Sequence, residues 1–382
     1  VTPRPRPRPF LPPPAGQAFL PAPAWALALA LALASTLTLV GSASAAESEA
    51  PFDLTGLPPY RAAESVHGVI RIHGTELTLN LIRLWERGFL KRQPVVRYGD
   101  YFVPTAFSGL CAGTADIGVM GHTAWRSDLK AFEGMFGYDP FEIMFATGGF
   151  NLRKGNTPGA IVFVNHANPL TGLTLRQLDG ILGAERTGGW VGTTWHPEVA
   201  RGPEGNLRTW GQLGLTGAWA NQPIHIYGID ATLSNWSELI QRVVFHGGDK
   251  WNPAIRELVR GGVEIPADAQ IVSAVAADPY AIGFNLMRIV ERNPGVKALA
   301  LATRDEGPFI APTRESFYRR TYPLDNAVYL YLNRPPGHPL SPRLREFLTY
   351  VLSREGQADI AEDGMYLPLT PEAAAAELAK LK

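Results

Sequence analysis

From residue 67 onward, short β-branched runs alternate with stretches of helical spacing, and this constrains the fold more than any other property of the 382-residue chain. Residues 67–73 read as a strand. From Thr78 the apolar residues Leu79, Ile82, Leu84, Trp85 and Phe89 fall on one helical face. A strand ending near Tyr98 follows, then a helix opened by Pro104 and Thr105, then a strand within 115–120. Further strands are expected at 160–165, 224–229, 269–273, 281–284 and 326–333, and helices at 174–182, 236–245 and 341–353. Such alternation makes mainly parallel sheets covered by helices. This much chain exceeds what one sheet organises, so two α/β lobes are expected.

The first 50 residues do not belong to that pattern. Arg4, Arg6 and Arg8 stand without an acidic neighbour, and an apolar run from Trp25 to Val40 follows. The run is shorter than the roughly 20 residues a membrane helix needs. Ala43-Ser44-Ala45 then fits a small-residue cleavage site, with Glu47 beyond it. Residues 1–45 therefore read as a cleavable secretory signal peptide and 46–65 as a flexible leader. No arginine pair marks the twin-arginine route. The single cysteine, Cys111, excludes an internal disulfide, reads as a small buried hydrophobe, and lies too far from the cleavage site to carry a lipid. The expected product is a soluble periplasmic protein, not a lipoprotein. Lys plus Arg equals Asp plus Glu at 35 each, and loss of three arginines leaves a slight acidic excess, so no nucleic-acid partner is expected.

Motifs for catalysis are missing: there is no G-x-S-x-G, H-E-x-x-H or phosphate-binding P-loop. His67 and His73, six positions apart, lack an evident third ligand for zinc, so neither a metal nor another cofactor is expected. What remains is a set of loops where a strand gives way to a helix through small hydroxyl residues. Gly74-Thr75-Glu76-Leu77-Thr78 is one, Pro104-Thr105 a second, and Asp230-Ala231-Thr232-Leu233-Ser234-Asn235 a third. Helix starts carry unpaired N–H donors and a partial positive charge that favour oxyanions. Each hydroxyl also reads as a simple helix cap. Three such loops in one α/β chain point to a cleft where helix starts converge.

Three further stretches carry a resemblance. They are Tyr322-Pro323-Leu324 with the segment from Val328 to the closing Leu367-Pro368-Leu369, then Asn168-Pro169-Leu170-Thr171-Gly172-Leu173-Thr174, then Ala281-Ile282-Gly283-Phe284 followed by Val296-Lys297-Ala298-Leu299. With the element order over roughly residues 66–370, they resemble the phosphate-binding proteins of bacterial ABC importers. The binding loops depart from that pattern. The first usually reads Gly-Ser-x-Thr, where this chain has Gly74-Thr75-Glu76-Leu77, with Thr78 beyond. Gly121-His122 stands where the family often has Ser-Arg or an acid, and Gly228 replaces an arginine of the third loop. Without that arginine, weaker phosphate binding or another ligand is expected, because charge-assisted donors contribute about 1.5–3 kcal/mol each. His122 would supply a charge that switches near neutral pH, and Arg126 is near enough in sequence to substitute.

The resemblance implies a two-lobed periplasmic binding protein fold of type II, with mixed, mostly parallel sheets flanked by helices and a ligand cleft between lobes. Lobe 1 would combine 66–162 with 322–382, and lobe 2 would span 163–321, with crossings near 161–164 and 322–329. The implied function is binding inorganic phosphate or a similar oxyanion, without catalysis, as a monomer that presents the closed form to an ABC permease in the inner membrane. Thr75, Thr78, Thr105, His122, Asp230, Thr232 and Ser234 are the expected ligand-binding residues. The alternative is a sensor or partner-binding module with a degenerate cleft. A secreted phosphoester-cleaving enzyme is a third class.

Overall fold

The computed structural model describes residues 52–101, 105–148, 160–228, 235–257, 267–285 and 287–382. The chain first lays down β1 (Gly68–His73), β2 (Val96–Tyr101), β3 (Ile117–Val119) and β4 (Phe141–Gly148). There follow β5 (Ile161–Asn165), β6 (Gly172–Thr174), the hairpin of β7 (Gly189–Val191) and β8 (Thr194–His196), then β9 (His225–Gly228) and β10 (Arg256–Glu257). Next come β11 (Ala281–Asn285), β12 (Val296–Ala298), β13 (Ala300–Ala302) and finally β14 (Asn326–Leu332).

Two five-stranded sheets result, ordered β2-β1-β3-β14-β4 and β10-β9-β11-β5-β12. Each is mixed in the same way. A parallel trio (β2, β1, β3 or β10, β9, β11) continues into two antiparallel neighbours. Because β14 returns to the first sheet after the second is complete, the chain passes between the sheets twice. Ile161 and Val162, assigned to lobe 1 from sequence, already pair with β11 in the second sheet.

Each sheet owns a core. Ile70, Ile72, Trp85, Phe89, Phe145 and Phe347 pack together on the first; Phe163, Trp210, Phe245, Ile282 and Phe284 pack together on the second. Helix α1 (Leu79–Leu90) buries Leu81, Ile82, Trp85 and Phe89 at helical spacing, and burying a side chain such as Phe89 contributes about 1.5–3 kcal/mol. The segment expected to be a flexible leader is anchored at its described end. Leu57 and Tyr60 are buried in the first core, and the Tyr60 hydroxyl donates to Glu346 at 2.7 Å.

Helices α2 (Ala106–Cys111) and α3 (Arg126–Phe136) follow β2 and β3. Helix α4 (Leu175–Leu182) starts at a reciprocal capping box: Gln177 N–H donates to Thr174 Oγ1 at 3.1 Å, and Thr174 N–H donates to Gln177 Oε1 at 3.0 Å. The Leu-Pro close of the sequence is tied to β4 by reciprocal Thr147–Leu367 backbone bonds of 3.0 and 2.8 Å. After α5 (Asn235–Val243), one element differs in type from the expectation: 269–273 is no strand but part of α6 (Ala267–Ala277). A five-residue stretch around Ile271 and Val272 has no period of its own, and the surrounding alanines favour helix. Among the described residues no helix is long and apolar enough to cross a membrane.

Candidate ligand-binding cleft

The parallel trio of the first sheet ends level: His73 pairs with Tyr101 on one side and Gly118 on the other. Loops leaving these carboxyl ends therefore emerge side by side, where ligands bind in open α/β sheets. A Cβ at Gly121 would stand 3.4 Å from Leu77 Cδ1 and 3.1 Å from the Tyr366 hydroxyl, so the loop after β3 lies against the loop after β1.

The expected residues take different places on this edge. Thr75 follows β1, and its hydroxyl is buried with no hydrogen-bond partner among the described residues. Thr78 is fully buried, and its hydroxyl donates to the Thr75 carbonyl at 3.0 Å. It closes the turn into α1 and faces inward. Thr105 precedes α2 without capping it through its side chain; its Oγ1 lies 3.3 Å from His73 Nδ1. Gly109 permits that approach, since a Cβ there would come within 2.3 Å of the same nitrogen. His73 thus belongs to the edge beside Thr105, while His67 is exposed.

His122 Nδ1 donates to the Thr123 carbonyl at 2.6 Å, and its ring meets Trp125 at 5.5 Å between centroids. Burial holds its pKa below the ordinary histidine value, outweighing that hydrogen bond. The ring is therefore neutral at neutral pH, and the switchable charge expected there moves to more acidic conditions. Asp230, Thr232 and Ser234 lie outside the described residues. Among the described residues no group of three metal-ligating side chains occurs.

One residue without an individual sequence signal joins the halves, and a second orients it. Arg242, on α5, donates through Nη2 to Asn326 Oδ1 at 2.8 Å and to Thr123 Oγ1 at 3.3 Å. Thr123 Oγ1 in turn donates to Asn326 Oδ1 at 2.8 Å. Glu238, one turn before Arg242, accepts from its Nε at 3.2 Å and orients it; burial raises the Glu238 pKa despite this pairing. Of this arrangement the sequence carries only the i, i+4 spacing of Glu238 and Arg242.

Beside this junction lies a cleft of about 550 Å³. Trp125, Arg126 and Lys130 line one side, with Trp190, His196 and Arg242 on the other. Fold and cleft together are those of a two-lobed binding protein, with strand-end loops and an inter-sheet cleft. The model of the PBP superfamily domain matches residues 105–355, more than half of the chain, and the chain belongs to that superfamily. A relative from Pseudomonas aeruginosa, the phosphate-binding protein PstS, is 29% identical over 323 residues, covering 83% of this chain and 88% of its own. The crystal structure of PstS from Borrelia burgdorferi superimposes with a TM-score of 0.50 at 14% identity, over 80% of this chain and all of that one.

Proposed function

We propose that this chain is an extracytoplasmic solute-binding protein of an ABC importer, taking phosphate or a related oxyanion at the strand-end edge between its two sheets. Superfamily membership and the extensive match to a phosphate-binding relative support this reading. The observation that carries it is the buried Thr75 hydroxyl, which has no partner among the described residues, on the edge that also holds Thr105 and His73. A buried hydroxyl without a partner costs about 1–3 kcal/mol, which an anion accepting its hydrogen bond recovers. Asp230, Thr232 and Ser234, which precede α5 in sequence, would contribute to the same site from the other half. Closure would then present a surface to the permease. Residues 1–45 would direct export and be removed.

The test is thermal shift, then calorimetry, on protein recovered from the extracytoplasmic fraction, whose N-terminus is read by mass spectrometry. A ligand at one hundred times its dissociation constant stabilises the fold by about 2.7 kcal/mol. Phosphate should raise the melting temperature, bind at one site per chain and remain unconverted. No shift with phosphate, sulfate or another tetrahedral oxyanion sinks the reading in favour of a degenerate module. An intact N-terminus sinks the export part alone.

A further inference from the structure

Inorganic phosphate has five heavy atoms, yet the cleft beside the strand-end edge measures about 550 Å³, a size ordinary for small organic ligands. Its chemistry is also particular. Arg126, Lys130 and Arg242 face it against one acid, Glu238. The indoles of Trp125 and Trp190 are half-buried in its walls. The Arg126 guanidinium and the Lys130 ammonium lie 5.3 and 5.5 Å from the Trp190 ring centroid, and Trp195 braces that ring edge-on at 5.2 Å. Flat apolar surface and excess positive charge therefore line the same cleft. Thr123 lines the cleft two residues after Gly121, which packs against Leu77 of the loop after β1, so one short segment borders both the cleft and the proposed anion edge.

We propose that this cleft is a second compartment of the binding site, holding the ring-bearing organic part of a phosphomonoester whose phosphoryl group sits at the strand-end edge. The proposal rests on the oxyanion-binding reading above. The ring packs against Trp190 and Trp125, and Arg126 and Lys130 reinforce that ring contact as cations from the side opposite Arg242.

Calorimetry with three probes decides it: inorganic phosphate, glycerol 2-phosphate and phenyl phosphate, on the wild type and on Trp190→Ala, Trp190→Phe and Arg126→Ala/Lys130→Ala. Phenyl phosphate should bind about tenfold more tightly than inorganic phosphate, a typical gain from a ring contact reinforced by cations. Trp190→Ala and the double variant should remove that advantage and leave inorganic phosphate within about twofold, while Trp190→Phe should keep most of it. Arg126 and Lys130 are exposed, so the double variant tests the wall even if Trp190→Ala unfolds. Equal affinity for phenyl phosphate and phosphate, or equal weakening of both by the variants, overturns the second compartment and leaves the anion site standing. Failure of all three probes to bind overturns the anion site along with it.

Discussion

Replacing Arg242 with alanine removes a side chain that ties α5, on the second sheet, to Thr123 and Asn326, on the first. Its ion pair with Glu238 is on the surface, with 41% of the arginine side chain exposed, so it contributes about 0–1 kcal/mol. The 2.8 Å bond to Asn326 ends on a buried acceptor and is charge-assisted, a kind contributing about 1.5–3 kcal/mol when shielded and less here. Asn326 Oδ1 keeps the Thr123 hydroxyl as a donor, so that acceptor is not orphaned. The junction should therefore lose about 1–2 kcal/mol, a factor of about 5–30 in the equilibrium between joined and parted halves. Hydrogen exchange over residues 123–127 and 326–329 should accelerate by that factor, and the ligand-free scattering radius should grow. Arg242→Lys keeps the charge but not the fork that meets Glu238 and Asn326 together, so it should fall between the wild type and alanine. If both variants match the wild type in exchange and in radius, Arg242 joins nothing.

Three other outcomes follow from buried groups. Burial and a hydrogen bond to Asp100 push the Glu86 carboxyl up to about 8, so the folded state binds a proton that the unfolded chain releases near 4.5. Stability should decline from pH 4.5 to 8, and Glu86→Gln should flatten the decline and add about 1–3 kcal/mol at pH 8, measured by urea unfolding. Thr75→Val should weaken phosphate binding by about 0.5–1.5 kcal/mol in calorimetry while Thr75→Ser restores it, and equal affinities would remove Thr75 from the site. For His122 the folded-state pKa is lowered, so its contribution is complete above 6.5 and is lost as pH falls. His122→Gln should flatten the acid limb of a melting-temperature profile and leave the affinity ratio to wild type the same at pH 7 and 8.

Much of the scaffold was readable because its signals are local. Thr174 and Gln177 announce α4 by themselves, and the apolar period of α1 needs no tertiary context. The 269–273 run misled because Ile271, Val272 and Val275 suit a strand locally, and the helix emerges only across Ala267–Ala277. Thr75 and Thr78 are the same residue type three positions apart, yet one hydroxyl is unpartnered and the other is spent on the turn. That difference depends on backbone geometry, which hydroxyl counting does not capture. Arg242 was invisible for another reason: its partners lie 84 and 119 positions away.

The resemblance puts an arginine at position 228, and the packing around Gly228 shows why none stands here. A Cβ would lie 2.5 Å from Ile255 Cδ1 and 3.3 Å from Phe284 Cε1, so apolar side chains fill the space that an arginine stem would need. Positive charge stands elsewhere, on Arg242 of α5 and on Arg126 and Lys130 of α3, around the cleft of about 550 Å³. In the proposed site, neutral hydroxyls at the strand ends would contribute about 0.5–1.5 kcal/mol each, against about 1.5–3 kcal/mol for a charged donor, so a bare dianion would be held less firmly than by an arginine at 228. Gly228→Arg alone should not restore that grip, because overpacking costs about 1–3 kcal/mol and pushes the stem away from the edge. Gly228→Arg with Ile255→Ala vacates the stem's path. The double variant should then bind inorganic phosphate about tenfold more tightly than the wild type, the equivalent of one charged donor at the low end of its range. A folded double variant with wild-type phosphate affinity would show that the carboxyl end of β9 does not face the anion.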